Sequence, residues 1–124
     1  MKRTSLFGLL LAGLAMGAIQ RASAGSAVAY DFRGHTVYSF GHPKAVEIHR
    51  ALDLARRHGW ADARIIAASD VTGYGAIAVA RKGHGSVLGA ALGRPSREDA
   101  EQRAIEICLK GGGTDPRVRW EFRG

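Results

Sequence analysis

Apolar positions along this chain follow two alternating periods. Ser26-Ala27-Val28-Ala29-Tyr30-Asp31-Phe32 is strand-compatible, and Thr36-Val37-Tyr38-Ser39-Phe40 alternates with period two across an Arg33-Gly34-His35 turn. Gly41-His42-Pro43 breaks that pattern, and Pro43 suits the first turn of a helix, where its missing N–H is not needed. From about Lys44 to His58 the spacing becomes helical, with Ala45, Ile48, Leu52 and Ala55 on one face. Arg56, Arg57 and His58 crowd the last turn, where the helix dipole favours cations, and Gly59 is a fitting terminator. Arg64-Ile65-Ile66-Ala67-Ala68 reads as a closing strand.

The pattern is then written again. Gly75 to Ala80 and Val87 to Leu92 are strands around a Lys82-Gly83-His84-Gly85 turn. Ser96 with Asp99 resembles a capping box, and Ala100, Ala104, Ile107 and Cys108 line a helical face that ends at Lys110 and Gly111. Val118, Trp120 and Phe122 alternate with Arg117, Arg119, Glu121 and Arg123 in a last strand. Ala27-Val28-Ala29 recurs as Ala76-Ile77-Ala78, Gly41-His42-Pro43 as Gly93-Arg94-Pro95, and Asp62-Ala63-Arg64-Ile65 as Asp115-Pro116-Arg117-Val118. Gly59 falls on Gly111, and the helix faces align Ile48, Leu52, Ala55 and Arg56 with Ala100, Ala104, Ile107 and Cys108. A period near 50 marks one supersecondary unit used twice.

Each unit reads β-β-α-β, the first over about residues 25–70 and the second over 71–124. The helix returns the chain parallel to the second strand, so the third strand can lie beside the first. The expected fold class is α+β: one mixed, mainly antiparallel sheet of about six strands with two helices on one face. A helix-swapped homodimer is the rival. The small strands suit central positions and the arginine-bearing strand an edge, where charge also blocks further pairing.

The first 24 residues predict a destination. Lys2 and Arg3 precede an apolar run from Leu6 to Ile19, and Ala22-Ser23-Ala24 is a small-x-small cleavage site. The run is shorter than the roughly 20 residues that span a bilayer, so a cleaved signal peptide is expected and no membrane span after it. The expected location is the periplasm or the cell exterior. Cleavage removes Lys2, Arg3 and Arg21, leaving 15 basic against 11 acidic residues, a net +4 in place of +7. That excess suits an acidic protein or envelope polymer, and export argues against nucleic acid. Cys108 is the single cysteine, so no internal disulfide is possible, and its helical apolar setting predicts a buried thiol.

Gly73-Tyr74-Gly75-Ala76-Ile77-Ala78, the Ser96-Arg97-Glu98-Asp99-Ala100-Glu101 helix start, Ala104 to Cys108, and Arg117-Val118-Arg119-Trp120-Glu121-Phe122-Arg123 stand in a telling order. In these residues the second unit resembles a family of small exported bacterial domains of unknown function, numbered four-one-eight-nine. The resemblance implies export and this fold, and brings no activity or site residues. It also implies a disulfide from the helix cysteine to a second one before the last strand. Here that second place is held by Pro116.

Candidate chemistry is sparse. His35 and His84 occupy equivalent turns and are weak metal-site candidates, with no Cys or carboxylate at ligand spacing. His49 and Asp53 are spaced for a surface ion pair, and His58 for a helix C-terminal cation. Motifs for nucleophilic or zinc hydrolysis are missing, and no cofactor is expected. Arg117, Arg119 and Arg123 alternate so as to point one way, forming a ladder for carboxylate or phosphate. The expectation is a non-catalytic binding domain, inhibitor- or immunity-like. The alternative is a small hydrolase or metal-binding protein using the turn histidines.

Overall fold

The computed structural model describes residues 24–124, and apart from Ala24 the leader expected over residues 1–24 lies outside them. The elements are β1 (Ser26–Tyr30), β2 (Thr36–Phe40), α1 (Lys44–Arg57), β3 (Arg64–Ser69), β4 (Tyr74–Lys82), β5 (Gly85–Arg94), α2 (Arg97–Lys110) and β6 (Thr114–Arg123). Order β-β-α-β therefore occurs twice. In each unit the third strand does lie beside the first: the sheets run β2-β1-β3 and β5-β4-β6, antiparallel throughout. Each helix packs on the sheet of its own unit. Among the described residues no helix is long and apolar enough to cross a membrane.

The expected single six-stranded sheet is replaced by two separate three-stranded sheets. The reason lies in strand faces. Ala27 and Ala29 of β1 pack beneath α1, and Ala76, Ala78 and Ala80 of β4 beneath α2. One helix leaves the opposite face of each sheet bare, and that face is apolar. Pairing the sheets edge to edge would leave both bare faces in water. Stacking them buries Val28, Ile77 and Leu92, with Tyr38, Trp120 and Phe122 around them. The layers are thus helix, sheet, sheet, helix.

The two units agree in detail. In each, the pairing of the first and third strands slips at the same place. Val28 pairs with Ala67 and Ala29 with Ile65, and Ile77 pairs with Trp120 and Ala78 with Val118. The extra residues, Ile66 and Arg119, form equivalent β-bulges. Both helices end on a glycine at positive φ, Gly59 at 84° and Gly112 at 87°. In both the next N–H closes back onto the helix, Trp60 on Ala55 and Gly113 on Cys108, each at 2.9 Å. Gly59 therefore corresponds to Gly112, not Gly111. The buried helix positions move with it: Glu47, Ala51 and Ala55 in α1 match Ala100, Ala104 and Cys108 in α2. Cys108 thus corresponds to Ala55 rather than to Arg56. Ile48 and Leu52, expected at the centre of the first helix's apolar face, flank it instead. Alanines sit nearest the sheet because the strand residues they meet are also alanines.

Candidate binding surface

The arginine ladder is broken by the bulge. Arg117 pairs with Val79 on the sheet face that looks toward the first unit. Arg119 is the bulge residue itself, and past it the strand's side chains change faces. Glu121 pairs with Ala76 on the α2 side, 3.8 Å from Arg97. Arg123 pairs with Tyr74 at the far end, its guanidinium 5.2 Å from that ring's centre. Strict alternation in the sequence placed all three arginines together; an unpaired residue in the ladder removes Arg123 from the set.

Arg117 and Arg119 instead meet Arg81. The β4–β5 hairpin closes with a two-residue turn, Gly83 at φ 61° and His84, and carries the second sheet past the end of the first. Tyr30, the last residue of β1, meets Trp120, which pairs with Ile77, and further along β4 Arg81 and Lys82 are exposed. There Arg81, Arg117 and Arg119 line an open concavity of about 430 Å³, with Ser86 and Asp115 at its sides. Arg117 lies 3.5 Å from the carboxylate of Asp115, an exposed residue at φ 54°. The sequence reading missed Arg81. Its signal was the hairpin register, which sets Arg81 opposite Ser86 and Thr114.

An aromatic run leads away from these arginines. The Arg119 guanidinium stands 5.7 Å from the centre of the Trp120 ring. Trp120 meets Tyr30 edge to face at 5.5 Å, and Tyr30 meets Phe32 at 5.0 Å. Phe32 belongs to the longer β1–β2 loop, which a buried carboxylate organises. Asp31 accepts the backbone N–H of Arg33 at 2.8 Å and of His35 at 2.9 Å, and its second oxygen meets His35 Nδ1 at 2.6 Å. Burial alone would push the Asp31 carboxyl up, but these hydrogen bonds and the nearby imidazole hold it down at about 2. The His35 ring stacks on Trp60 at 4.4 Å, and His58 also stacks on Trp60, at 4.7 Å. Arg33 reaches Asp62 at 2.7 Å, and a second open concavity of about 600 Å³ there is bordered by Phe32, Arg33 and Arg64.

The histidines do not converge. His35 is engaged within the first unit, His84 sits at the tip of the second hairpin, and no hydrogen bond or ring contact joins them. Among the described residues no three His, Cys, Asp or Glu side chains are placed to hold a metal ion. Asp53 pairs with Arg57 at 3.0 Å rather than with His49. His58 occupies the expected helix C-terminus, with Trp60 added beneath it.

Beneath α1, serine, histidine and glutamate come together in the wrong order for catalysis. Glu47 is fully buried. One of its oxygens accepts from the Ser39 hydroxyl; the other accepts the His42 N–H at 2.6 Å and lies 2.9 Å from His42 Nδ1. The carboxylate thus stands between hydroxyl and imidazole. A serine nucleophile needs the imidazole as its immediate neighbour. Burial pushes the Glu47 carboxyl up, but the bonds from Ser39 and His42 and the charge of Arg50 outweigh it and hold it below its ordinary value. Cys108 is buried as expected, its thiol 3.3 Å from the Ala78 carbonyl oxygen, and burial pushes its pKa up, away from the reactive thiolate.

Comparison of the chain with protein-family models, curated proteins and solved structures returns no match.

Proposed function

We propose that this chain is an exported bacterial binding domain without catalytic activity, of the small exported family it resembles, acting in the periplasm or outside the cell. Its binding face is the concavity of Arg81, Arg117 and Arg119, and its partner is an acidic protein. The observation that carries this reading is the charge of that concavity: three arginines against one carboxylate, on a part of the sheet that the first unit leaves uncovered. Guanidinium groups pair with carboxylates in two-point geometry, which suits an acidic protein surface. Two of the three, Arg117 and Arg119, are among the residues singled out by their alternation; Arg123 stands apart as a ring-stacked residue.

The test is capture from the organism's own envelope and secreted fractions with the tagged full-length chain. An Arg81→Glu, Arg117→Glu, Arg119→Glu variant is run beside it, with Arg123→Glu as a control, at low and high salt. One stoichiometric protein should be recovered by the native chain and by the Arg123 variant, and lost by the triple variant. Equal recovery by the native and triple variants, or no recovered protein, overturns the reading.

The Asp31–His35 pair favours a second reading, a metal-binding protein or small hydrolase, because the carboxylate fixes one imidazole nitrogen and leaves the half-exposed ring its other one. Stoichiometric zinc uptake by the native chain, absent from His35→Ala, would support it over the first; no uptake would remove its metal-binding form.

A further inference from the structure

Taking the arginine concavity as a protein-binding face, we propose that Phe32 is the anchor of that face, a preformed ring that enters an apolar pocket bordered by carboxylates on the partner. Phe32 has φ +63°, a region that bulky side chains avoid. The conformation is held from both sides, by the three hydrogen bonds of buried Asp31 and by the His35 ring clamped on Trp60. Little burial is gained in return. The ring remains 57% exposed and is steadied by the Tyr30 edge. The fold does not demand such a loop, since the second unit joins the equivalent strands with the two-residue turn at Gly83-His84.

The surroundings define the partner. Arg33 and Arg64 border the same concavity as Phe32, with the Asp62 carboxylate beside them and the Asp31 carboxylate already engaged by its three hydrogen bonds. Tyr30 and Trp120 connect the ring to Arg119 and the arginine concavity. An apolar projection between two groups of arginines is complementary to an apolar pocket with an acidic rim. Rigid aromatic rings beside arginines are the residues that concentrate binding energy, because their ordering is complete before the partner arrives.

The test places photoreactive benzoylphenylalanine at position 32 of the full-length chain in its own organism, with position 109, the exposed Leu109 of α2, as control. Light should join position 32, and not 109, to one protein, within a pocket of apolar side chains bordered by Asp or Glu. With that protein purified, Phe32→Gly should weaken binding by about tenfold or more. The same variant should raise the melting temperature, because glycine adopts this φ freely. A ring with only a structural role gives the reverse: lower melting temperature and unchanged affinity. No adduct above the control, adducts on polysaccharide or lipid, or an affinity change within about twofold overturns the proposal. If the triple arginine variant still loses the partner in those cases, the arginine reading stands and only Phe32 is removed. If both variants bind as the native chain does, both fall.

Discussion

Beneath α1 the first unit buries Ser39 and Glu47 and packs Val37 beside them; at the same depth beneath α2 the second unit has Ala91, Ala100 and Gly89. The two interfaces share strand order, bulge and helix terminus, yet one adds a polar network to its alanines and the other is nearly all alanine. The difference lies in how closely helix and sheet approach. At Gly89 a side chain would overlap the Ala104 carbonyl oxygen, so α2 rests on bare backbone. The first unit has Val37 at the position of Gly89. Glu47 bridges its layers by reaching down to Ser39 and back to the His42 N–H that precedes the helix. One fold therefore accommodates two solutions: close apolar contact, or polar groups that satisfy one another.

Exchanging residues between the units should break the comparison most visibly at Gly89. Gly89→Val installs the first unit's residue in the second and drives a branched side chain into the backbone of α2. Overpacking of this kind should cost about 3 kcal/mol, read as a lower urea midpoint at unchanged slope. An unchanged midpoint would show that α2 can lift from its sheet, and that close approach is not what distinguishes the second unit.

The reverse exchange tests the network. Glu47→Ala leaves the Ser39 hydroxyl and the His42 N–H without their acceptor, a loss of about 2 kcal/mol. Ser39→Ala with Glu47→Ala reproduces the second unit's Ala91 and Ala100 and removes one of the stranded groups. It should be less destabilised than Glu47→Ala alone, a favourable coupling of about 1 kcal/mol in a double-mutant cycle. Additive losses would mean that Glu47 acts mainly by filling space.

Much of this architecture is legible in the chain. Period-two and helical spacing place all eight elements within a few residues of their ends, because each face meets either solvent or a partner layer. The sheet arrangement is not legible, since alternation states that a strand has two apolar faces without saying what covers each. Glu47 escaped notice because a glutamate in a first helical turn ordinarily serves the dipole at the surface. Alternation aligns Arg117, Arg119 and Arg123, but a bulge leaves no mark in the residue types, so the separation of Arg123 from the other two and the position of Arg81 beside them are not legible. Asp31 did carry a signal, since an Asp two residues before a turn N–H is a recurrent turn-former.

Acid sharpens the contrast, since carboxyls in the two units are shifted in opposite directions. Asp31 is lowered to about 2, and Glu47 is also held low. As pH falls below the ordinary carboxyl range near 4, the unfolded chain takes up these protons first, so their contribution is complete above that range and is lost on acidification. In the second unit Glu101 is raised, by a hydrogen bond to Glu121, by burial and by the Glu121 charge. Its protonation favours the native state, so its contribution runs the other way, largest in acid and lost as pH rises through the folded value. Between pH 5 and 2 the native chain should lose stability on acidification. Asp31→Asn should flatten the lower part of that curve, and Glu121→Gln should steepen the upper part. Parallel curves for all three proteins would remove the assignment of the acid response to these carboxyls.

The smallest expected effect separates a ring from its hydroxyl where the sheets meet. Tyr38 corresponds in register to Ala90, and both belong to the layer shared by the two sheets. The Tyr38 ring is well employed, stacked on Phe122 at 4.7 Å and on Phe40 at 5.4 Å. Its hydroxyl oxygen is the one buried side-chain polar atom without a hydrogen-bond partner among the described residues, and burial pushes its pKa up. Tyr38→Phe keeps the stacking and removes the unsatisfied group, so stability should rise by about 0.5–1 kcal/mol. A fall of similar size would show that the hydroxyl is paired in solution, with neighbouring Ser26 the first partner to examine by a Ser26→Ala cycle. The first unit would then carry polar pairing into the layer between the sheets as well as beneath its helix.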